Sequence, residues 1–186
     1  MKKALAKFWY FLLGWKIELP VELKDEIKHS VMVAAPHTSN WDFPFAIFGF
    51  WLMEIDVRYF IKDVYTKSFM GWFFKWTGAI GVDRSKQNNL VDYTAELLLN
   101  NNNLVILVPA EGTRARVEKW RTGFYTIAKK AHVPVSLGFL DFKEKRAGVG
   151  GVIHPSGDFE KDMAEIEQFY LTKTGKNPEN YNPKIF

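Results

Sequence analysis

The sequence predicts a single α/β domain in which helices flank a mixed, mainly parallel central sheet. Short apolar runs typical of buried strands, such as 31–35 and 104–108, alternate with longer helical segments, such as 43–55 and 90–100. The 186 residues contain no internal repeat and no interdomain linker. This length suits one domain with a sizeable hydrophobic core.

Each predicted element follows from its local pattern. Short apolar runs predict strands at 31–35, 57–61, 79–82, 104–108, 134–142 and 148–154. Longer apolar or amphipathic segments predict helices at 43–55, 69–76, 90–100, 123–131 and 158–172. Pro44 fits only in the first turn of its helix, and the four asparagines at 100–103 end another. We expect a polar connection at 19–29 and little regular structure at 175–186.

The first 18 residues are predicted to form a separate segment ahead of the main domain at 19–186. Three lysines flank the apolar run 8–13, which is too short to span a bilayer. No small-residue cleavage site follows, which argues against a signal peptide. We therefore expect an amphipathic helix that lies in the membrane interface. The alternative is a terminal helix that packs on its own domain.

The aromatic residues are concentrated in the first half of the chain. Six of the seven Trp and ten of the sixteen Phe precede residue 77. Large amphipathic rings favour the membrane–water interface, although they also fill hydrophobic cores. We expect a peripheral protein on the cytoplasmic face of a membrane.

The composition excludes several classes of site. The chain has no cysteine, so it has no disulfide, zinc–thiolate site or cysteine nucleophile. It has no Gly-x-Ser-x-Gly nucleophile elbow, and its four histidines are scattered, so no metal site is expected. The net charge of +4 weakly favours anionic partners. Without a nucleic-acid motif, we expect no nucleic-acid partner.

A histidine and an aspartate stand five positions apart between the first predicted strand and the first long helix. On a continuous helix their side chains would point roughly 140° apart, but Pro36 favours a turn that lets His37 and Asp42 meet. An aspartate bonded to one imidazole nitrogen leaves the other nitrogen free to accept a proton from a hydroxyl. Ser39-x-x-Asp42 also fits a capping box beside an ordinary loop histidine. Both interpretations can hold, because a cap also fixes the position of a catalytic aspartate.

A second polar cluster, residues 111–114, follows the buried run 104–108. Gly112 permits close backbone approach, and Arg114 offers two parallel hydrogen bonds to a phosphate. Glu111 can orient that arginine or bond a hydroxyl. The cluster alone would also suit a surface turn. Further basic residues can widen a basic pocket, although each alone is typical of a surface charge: Lys62, Arg84 and Arg116.

Together the two clusters resemble the motifs of the glycerolipid acyltransferases, and most closely those of bacterial lysophosphatidate acyltransferases. His37-Thr38-Ser39-Asn40-Trp41-Asp42 matches the family's His–four residues–Asp motif, and Glu111-Gly112-Thr113-Arg114 matches its Glu-Gly-Thr-Arg motif. Arg84 matches the arginine that ends the second motif, and Val133-Pro134-Val135 matches the apolar-Pro fourth motif. The resemblance runs from about residue 31 to residue 142.

The resemblance implies an acyltransferase in which His37, oriented by Asp42, is the general base. It would deprotonate a hydroxyl of a lysophospholipid such as 1-acylglycerol-3-phosphate, which attacks the thioester of acyl-CoA or acyl-carrier protein. The donor is a substrate, and neither a cofactor nor a metal is implied. The residues assigned to substrate binding are Ser39, Lys62, Arg84, Glu111, Gly112, Thr113, Arg114 and Arg116. The alternative is a non-catalytic lipid-binding module on the membrane surface, which would leave His37 idle.

Overall fold

The computed structural model describes residues 1–83 and 89–185, which form one seven-stranded sheet with helices packed against it. The strands are β1 (Lys16–Glu18), β2 (Ser30–Ala35), β3 (Val57–Lys62), β4 (Ala79–Val82), β5 (Val105–Pro109), β6 (Val135–Asp141) and β7 (Arg146–Ile153). The helices are α1 (Lys2–Leu13), α2 (Lys24–Ile27), α3 (Asp42–Met53), α4 (Asp63–Lys67), α5 (Gly71–Trp76), α6 (Leu90–Leu99), α7 (Gly123–Ala131) and α8 (Phe159–Tyr170). Short 3-10 turns occupy Val21–Leu23 and Pro178–Asn180.

The strand order is β1-β7-β6-β2-β5-β3-β4. Within the described ranges every neighbouring pair is parallel except β6 and β7, which are antiparallel. The predicted mixed, mainly parallel sheet is therefore confirmed. In consequence β2, β3, β4, β5 and β6 all end at one edge of the sheet, where ligand sites of such folds usually form.

The central strand β2 is apolar after its first residue, Ser30, because both faces of the sheet are covered. Val31 belongs to one buried cluster, together with Phe124 of α7 and Met163 of α8. The next residue, Met32, belongs to a second cluster with Phe50 of α3. Since consecutive strand residues point to opposite faces, α7 and α8 lie on one side of the sheet and α3 on the other.

Helix α1 packs on α3 with one face. The Tyr10 hydroxyl donates a 2.8 Å hydrogen bond to the carbonyl of Phe45. A side chain at Gly49 would begin 2.8 Å from the Tyr10 hydroxyl oxygen, so glycine permits this close packing. The opposite face of α1 leaves four apolar side chains exposed: Leu5, Phe8, Phe11 and Leu12. In residues 1–83 and 89–185, no helix combines the length and apolar character required to cross a membrane.

Several short elements differ from the sequence-based prediction. Residues 16–18 form an edge strand that pairs in parallel with β7, and the predicted connection at 19–29 contains α2, where Ile27 is buried. Helix α4 was also not predicted from the sequence; its ends are linked by a 2.5 Å ion pair between Asp63 and Lys67. Elements of three to five residues are too short to show a periodic pattern in the sequence.

Candidate functional site

The two polar motifs lie side by side because their strands are neighbours. Strands β2 and β5 pair in parallel, with Ala34 opposite Pro109. His37 follows three residues after Ala34, and Glu111 follows two residues after Pro109. The register of the sheet thus brings together two segments that are far apart in the sequence.

His37 and Asp42 form a hydrogen-bonded pair. After the cis peptide between Ala35 and Pro36 the chain turns, and Asp42 becomes the first residue of α3. Its carboxylate oxygen Oδ2 lies 3.0 Å from the imidazole Nδ1 of His37. A carboxylate only accepts hydrogen bonds, so Nδ1 carries the proton in this pair and Nε2 of the neutral ring carries a lone pair.

The Asp42 carboxylate is fixed by the backbone of the same turn. Its Oδ2 accepts the backbone N–H groups of Thr38, at 2.8 Å, and Ser39, at 2.9 Å. The side chain of Asp42 is buried, with 4% of the residue exposed. The capping box that the sequence also suggested does not form, because α3 begins at Asp42 and its N-cap is Trp41 rather than Ser39. The Ser39 N–H still donates to Asp42, and the Ser39 hydroxyl accepts from the N–H of Trp41.

Glu111 accepts hydrogen bonds from the backbone of His37. The backbone N–H of His37 donates to Oε2 of Glu111 at 2.8 Å and to Oε1 at 3.2 Å. Only 3% of Glu111 is exposed. Burial raises the pKa of this carboxyl group to about 8; the nearby Asp42 charge adds to the rise, and the His37 N–H opposes it. Glu111 is therefore largely protonated at neutral pH.

Both motifs line one open cleft of about 750 Å³. The residues around it are His37, Thr38, Ser39, Asn40, Trp41, Gly112, Thr113, Arg114, Ala115, Asn177 and Asn180. These lining residues bring hydroxyl, amide, imidazole and guanidinium groups to the cleft. None of the described lining residues carries a carboxylate. The cleft therefore suits a polar or anionic molecule presented next to His37.

The predicted substrate-binding residues differ in where they lie relative to the cleft. Ser39, Gly112, Thr113 and Arg114 line the cleft, and Glu111 lies buried behind it. Lys62 ends β3 at the same sheet edge with an exposed side chain, but it does not line the cleft. The guanidinium group of Arg116 donates to the carbonyl of Tyr181. Arg84 lies outside the described residues. The roles of all eight residues in substrate binding stay predictions.

Asn177 and Asn180 also line the cleft, and neither was predicted from the sequence. Both lie in the C-terminal segment that was expected to have little regular structure. Arg121 was missed as well: its side chain lies over Gly112, where an added Cβ atom would be 2.8 Å from Nε. Gly112 has a φ of 70°, a left-handed conformation that favours glycine. The sequence carries no local signal for contacts of this kind.

In the described ranges no group of three or more His, Asp or Glu side chains could hold a metal ion. The expectation that neither a metal nor a cofactor takes part stays a prediction.

The comparison with known families matches residues 18–136 to the family described as Acyltransferase. The crystal structure of the 1-acyl-sn-glycerophosphate acyltransferase PlsC from Thermotoga maritima is similar in fold, with a TM-score of 0.60 and 17% sequence identity. The similarity covers 90% of this chain and 75% of that chain. No curated protein is significantly similar in sequence.

Proposed function

The chain belongs to the acyltransferase family, and from this premise we propose that it acylates a hydroxyl of a lysophospholipid such as 1-acylglycerol-3-phosphate. The acyl donor is the thioester of acyl-CoA or acyl-carrier protein. One observation carries the proposal. His37, bound to Asp42 at 3.0 Å, lines the same cleft as Gly112, Thr113 and Arg114.

The His37–Asp42 pair supports a general-base mechanism. With Nδ1 of His37 bound to Asp42, Nε2 accepts the proton of the acceptor hydroxyl as its oxygen attacks the thioester carbonyl carbon. The tetrahedral intermediate collapses with cleavage of the carbon–sulfur bond, and the departing thiolate takes the proton back from Nε2. The products are the acylated lipid and a free thiol, and the acyl group never bonds to the protein. General-base catalysis of this kind accelerates a reaction by about 10²–10⁴-fold.

The cleft's chemistry supports an acceptor with a phosphate head group. Arg114 can donate two parallel hydrogen bonds to a phosphate, and its neighbour Thr113 adds a hydroxyl. No described residue that lines the cleft is acidic, so an anion meets no charge repulsion from its walls. The similar T. maritima enzyme is named for such an acceptor, 1-acyl-sn-glycerophosphate.

The exposed apolar surface supports attachment to a membrane. The cleft is mainly polar, so it fits the head group while the acyl chain of the acceptor stays in a bilayer. Apolar side chains that can enter the interface are exposed on α1 and around α5: Leu5, Phe8, Phe11, Leu12, Phe69, Met70 and Trp72. We propose that α1, within the predicted interface segment 1–18, and α5 hold the domain on the cytoplasmic face of the membrane, where acyl thioesters are available.

A thiol-release assay tests the function. The purified protein is mixed with acyl-CoA and 1-oleoyl-lysophosphatidate in phospholipid vesicles. Released CoA is measured with a thiol reagent, and the product is identified by mass spectrometry. We expect CoA release that requires the lysolipid and yields a diacylglycerol phosphate, with monoacylglycerol a much poorer acceptor. If neither acyl-CoA nor acyl-carrier protein supports transfer, the non-catalytic lipid-binding alternative is favoured.

A further inference from the structure

The segment 174–182, here called the C-terminal strap, connects the two motif loops. At one end the N–H of Phe142, just after β6, donates a 2.9 Å hydrogen bond to the carbonyl of Thr174. At the other end the indole N–H of Trp120 donates a 3.0 Å bond to the carbonyl of Asn182. The strap lies beyond residue 136, where the match to the family ends.

The strap is bound to the turn that carries His37. The N–H of Asn177 donates to the hydroxyl oxygen of Thr38 at 3.2 Å, and its side-chain amide donates to the Thr38 carbonyl at 3.0 Å. Thr38 is buried and in turn donates its N–H to Asp42. A Cβ atom on Gly175 would lie 2.7 Å from the Thr38 hydroxyl oxygen, so the strap approaches closely enough to require glycine.

The strap is also bound to the loop that follows the second motif. The guanidinium group of Arg116 donates to the carbonyl of Tyr181. The side-chain amide of Asn182 donates to the carbonyls of Val117, at 3.0 Å, and Glu118, at 2.9 Å. The strap is therefore held on both sides of the cleft.

Between these attachments the strap lines the cleft itself. Asn177 and Asn180 are both among the residues that line it. The ammonium group of Lys176 lies 5.8 Å from the ring centroid of Trp41, which is another lining residue. The strap thus adds amide donors and a nearby cation to a cleft in which Arg114 supplies a further positive charge.

We propose that the C-terminal strap completes the acceptor site, with Asn180 hydrogen bonding the phosphorylated head group of the acceptor. Asn177 is a positioning residue that holds Thr38 and, through it, the turn bearing His37 and Asp42. This inference rests on the proposed acyltransferase function. The side-chain amide of Asn180 is uncharged, so its hydrogen bond to a phosphate oxygen depends on the position of that oxygen. The guanidinium group of Arg114 is charged and favours any anionic head group.

Steady-state kinetics of three strap variants test the proposal, with 1-oleoyl-lysophosphatidate as acceptor and oleoyl-CoA as donor. Asn180→Ala should raise the acceptor KM about fivefold to tenfold and leave kcat and the donor KM unchanged. Glu179→Ala is the matched control, because Glu179 is an exposed neighbour on the strap that does not line the cleft. It should behave as the wild type. An acceptor KM of Asn180→Ala equal to that of the control overturns the head-group role.

The role of Asn177 is tested with a measurement that would not change if Asn177 only stabilised the fold. Asn177→Ala should lower kcat about tenfold and shift the pH dependence of kcat, with the acceptor KM altered less. Asn177→Ala keeps the backbone hydrogen bond to the Thr38 hydroxyl and loses only the amide donor, so its melting temperature should stay close to that of the wild type. A wild-type kcat and pH profile in folded Asn177→Ala overturns the positioning role.

The two proposals fail in different ways. If acyl transfer is lost in His37→Ala but unchanged when Asn177 or Asn180 is replaced, the strap's role is rejected and the acyltransferase function still holds. Transfer that persists in full in His37→Ala rejects the general base, and an acceptor site built around that residue is rejected with it.

Discussion

The backbone N–H of His37 donates a 2.8 Å hydrogen bond to the Glu111 carboxyl group, across 74 positions of sequence. This bond joins the turn after β2 to the turn after β5 directly beneath the proposed general base. Glu111 is almost entirely buried, so its effect on the reaction passes through the backbone of His37. We therefore expect Glu111 to position the histidine, and the substrate-binding role expected from the sequence stays a prediction.

Glu111→Gln and Glu111→Ala should differ in activity. Glutamine keeps an oxygen that can accept the N–H of His37, so kcat should fall by less than about fivefold. Alanine leaves that N–H without its acceptor, a loss worth about 1–3 kcal/mol, and kcat should fall about 10- to 100-fold. Steady-state kinetics on folded protein, checked by circular dichroism, make the comparison. Equal activity of the two variants would refute the positioning role.

The stability of the protein should fall as pH rises through the range in which Glu111 titrates. Its folded pKa is about 8, above the ordinary value of 4.5, because the carboxyl group is buried. The folded state therefore binds more protons than the unfolded state between these values, and the free energy of unfolding declines from about pH 4.5 to about pH 8. The expected decline is on the order of a few kcal/mol.

Urea denaturation at pH 5, 6.5 and 8 measures this decline in the wild type and in Glu111→Gln. The glutamine variant cannot ionise at this position, so its free energy of unfolding should depend less on pH. Parallel pH profiles for the two proteins would show that Glu111 titrates normally.

The sheet and the two motif loops could be predicted because their signals are local. The run 104–108 is apolar because β5 is buried, and polar residues begin where that strand ends. The pairing of His37 with Asp42 follows from their spacing across a turn. The alternation of strands and helices predicts a mainly parallel sheet. It does not predict that β2 lies beside β5, or which residues of the two strands are paired, and only the structure shows both.

The strap could not be predicted, because its contacts carry no sequence pattern. Asn177 reaches Thr38 across 139 positions of sequence through two hydrogen bonds. The Gly-Lys-Asn-Pro stretch at 175–178 predicts an irregular segment, and only the structure shows that Thr38 lies against it. The same holds for Arg121, whose position over Gly112 depends on how the loop after β5 folds back.

Arg114 and Arg116 should respond differently to substitution. Arg114 lines the cleft, so Arg114→Ala should raise the acceptor KM about tenfold, with kcat changed little. Arg116 instead binds the Tyr181 carbonyl, so Arg116→Ala should mainly lower the melting temperature. Kinetics and thermal melts on both variants separate the two roles. An unchanged acceptor KM in Arg114→Ala would exclude a phosphate contact by that residue.

Removing one exposed apolar side chain of α1 should weaken membrane binding. Phe11 is 86% exposed, and burial of a phenylalanine in an apolar environment is worth about 1.5–3 kcal/mol. Phe11→Glu should lower binding to anionic phospholipid vesicles about tenfold or more, as measured by co-sedimentation. Leu171→Glu, an exposed apolar position just after α8, is the control and should bind normally. Normal binding by both variants would argue against α1 as the membrane anchor.

Substitutions of His37 and Asp42 test the proposed general base most directly. In Asp42→Asn the side chain keeps its shape and can still accept the N–H groups of Thr38 and Ser39. It no longer supplies a carboxylate to the imidazole. His154→Ala is the control, because His154 is exposed and does not line the cleft.

The measurement is lysolipid-dependent CoA release by His37→Ala, Asp42→Asn and His154→Ala, each verified as folded by its thermal melt. We expect a loss of about 10²–10⁴-fold in the first two variants and wild-type release in the third. Full turnover by folded His37→Ala would contradict the assignment of His37 as the general base.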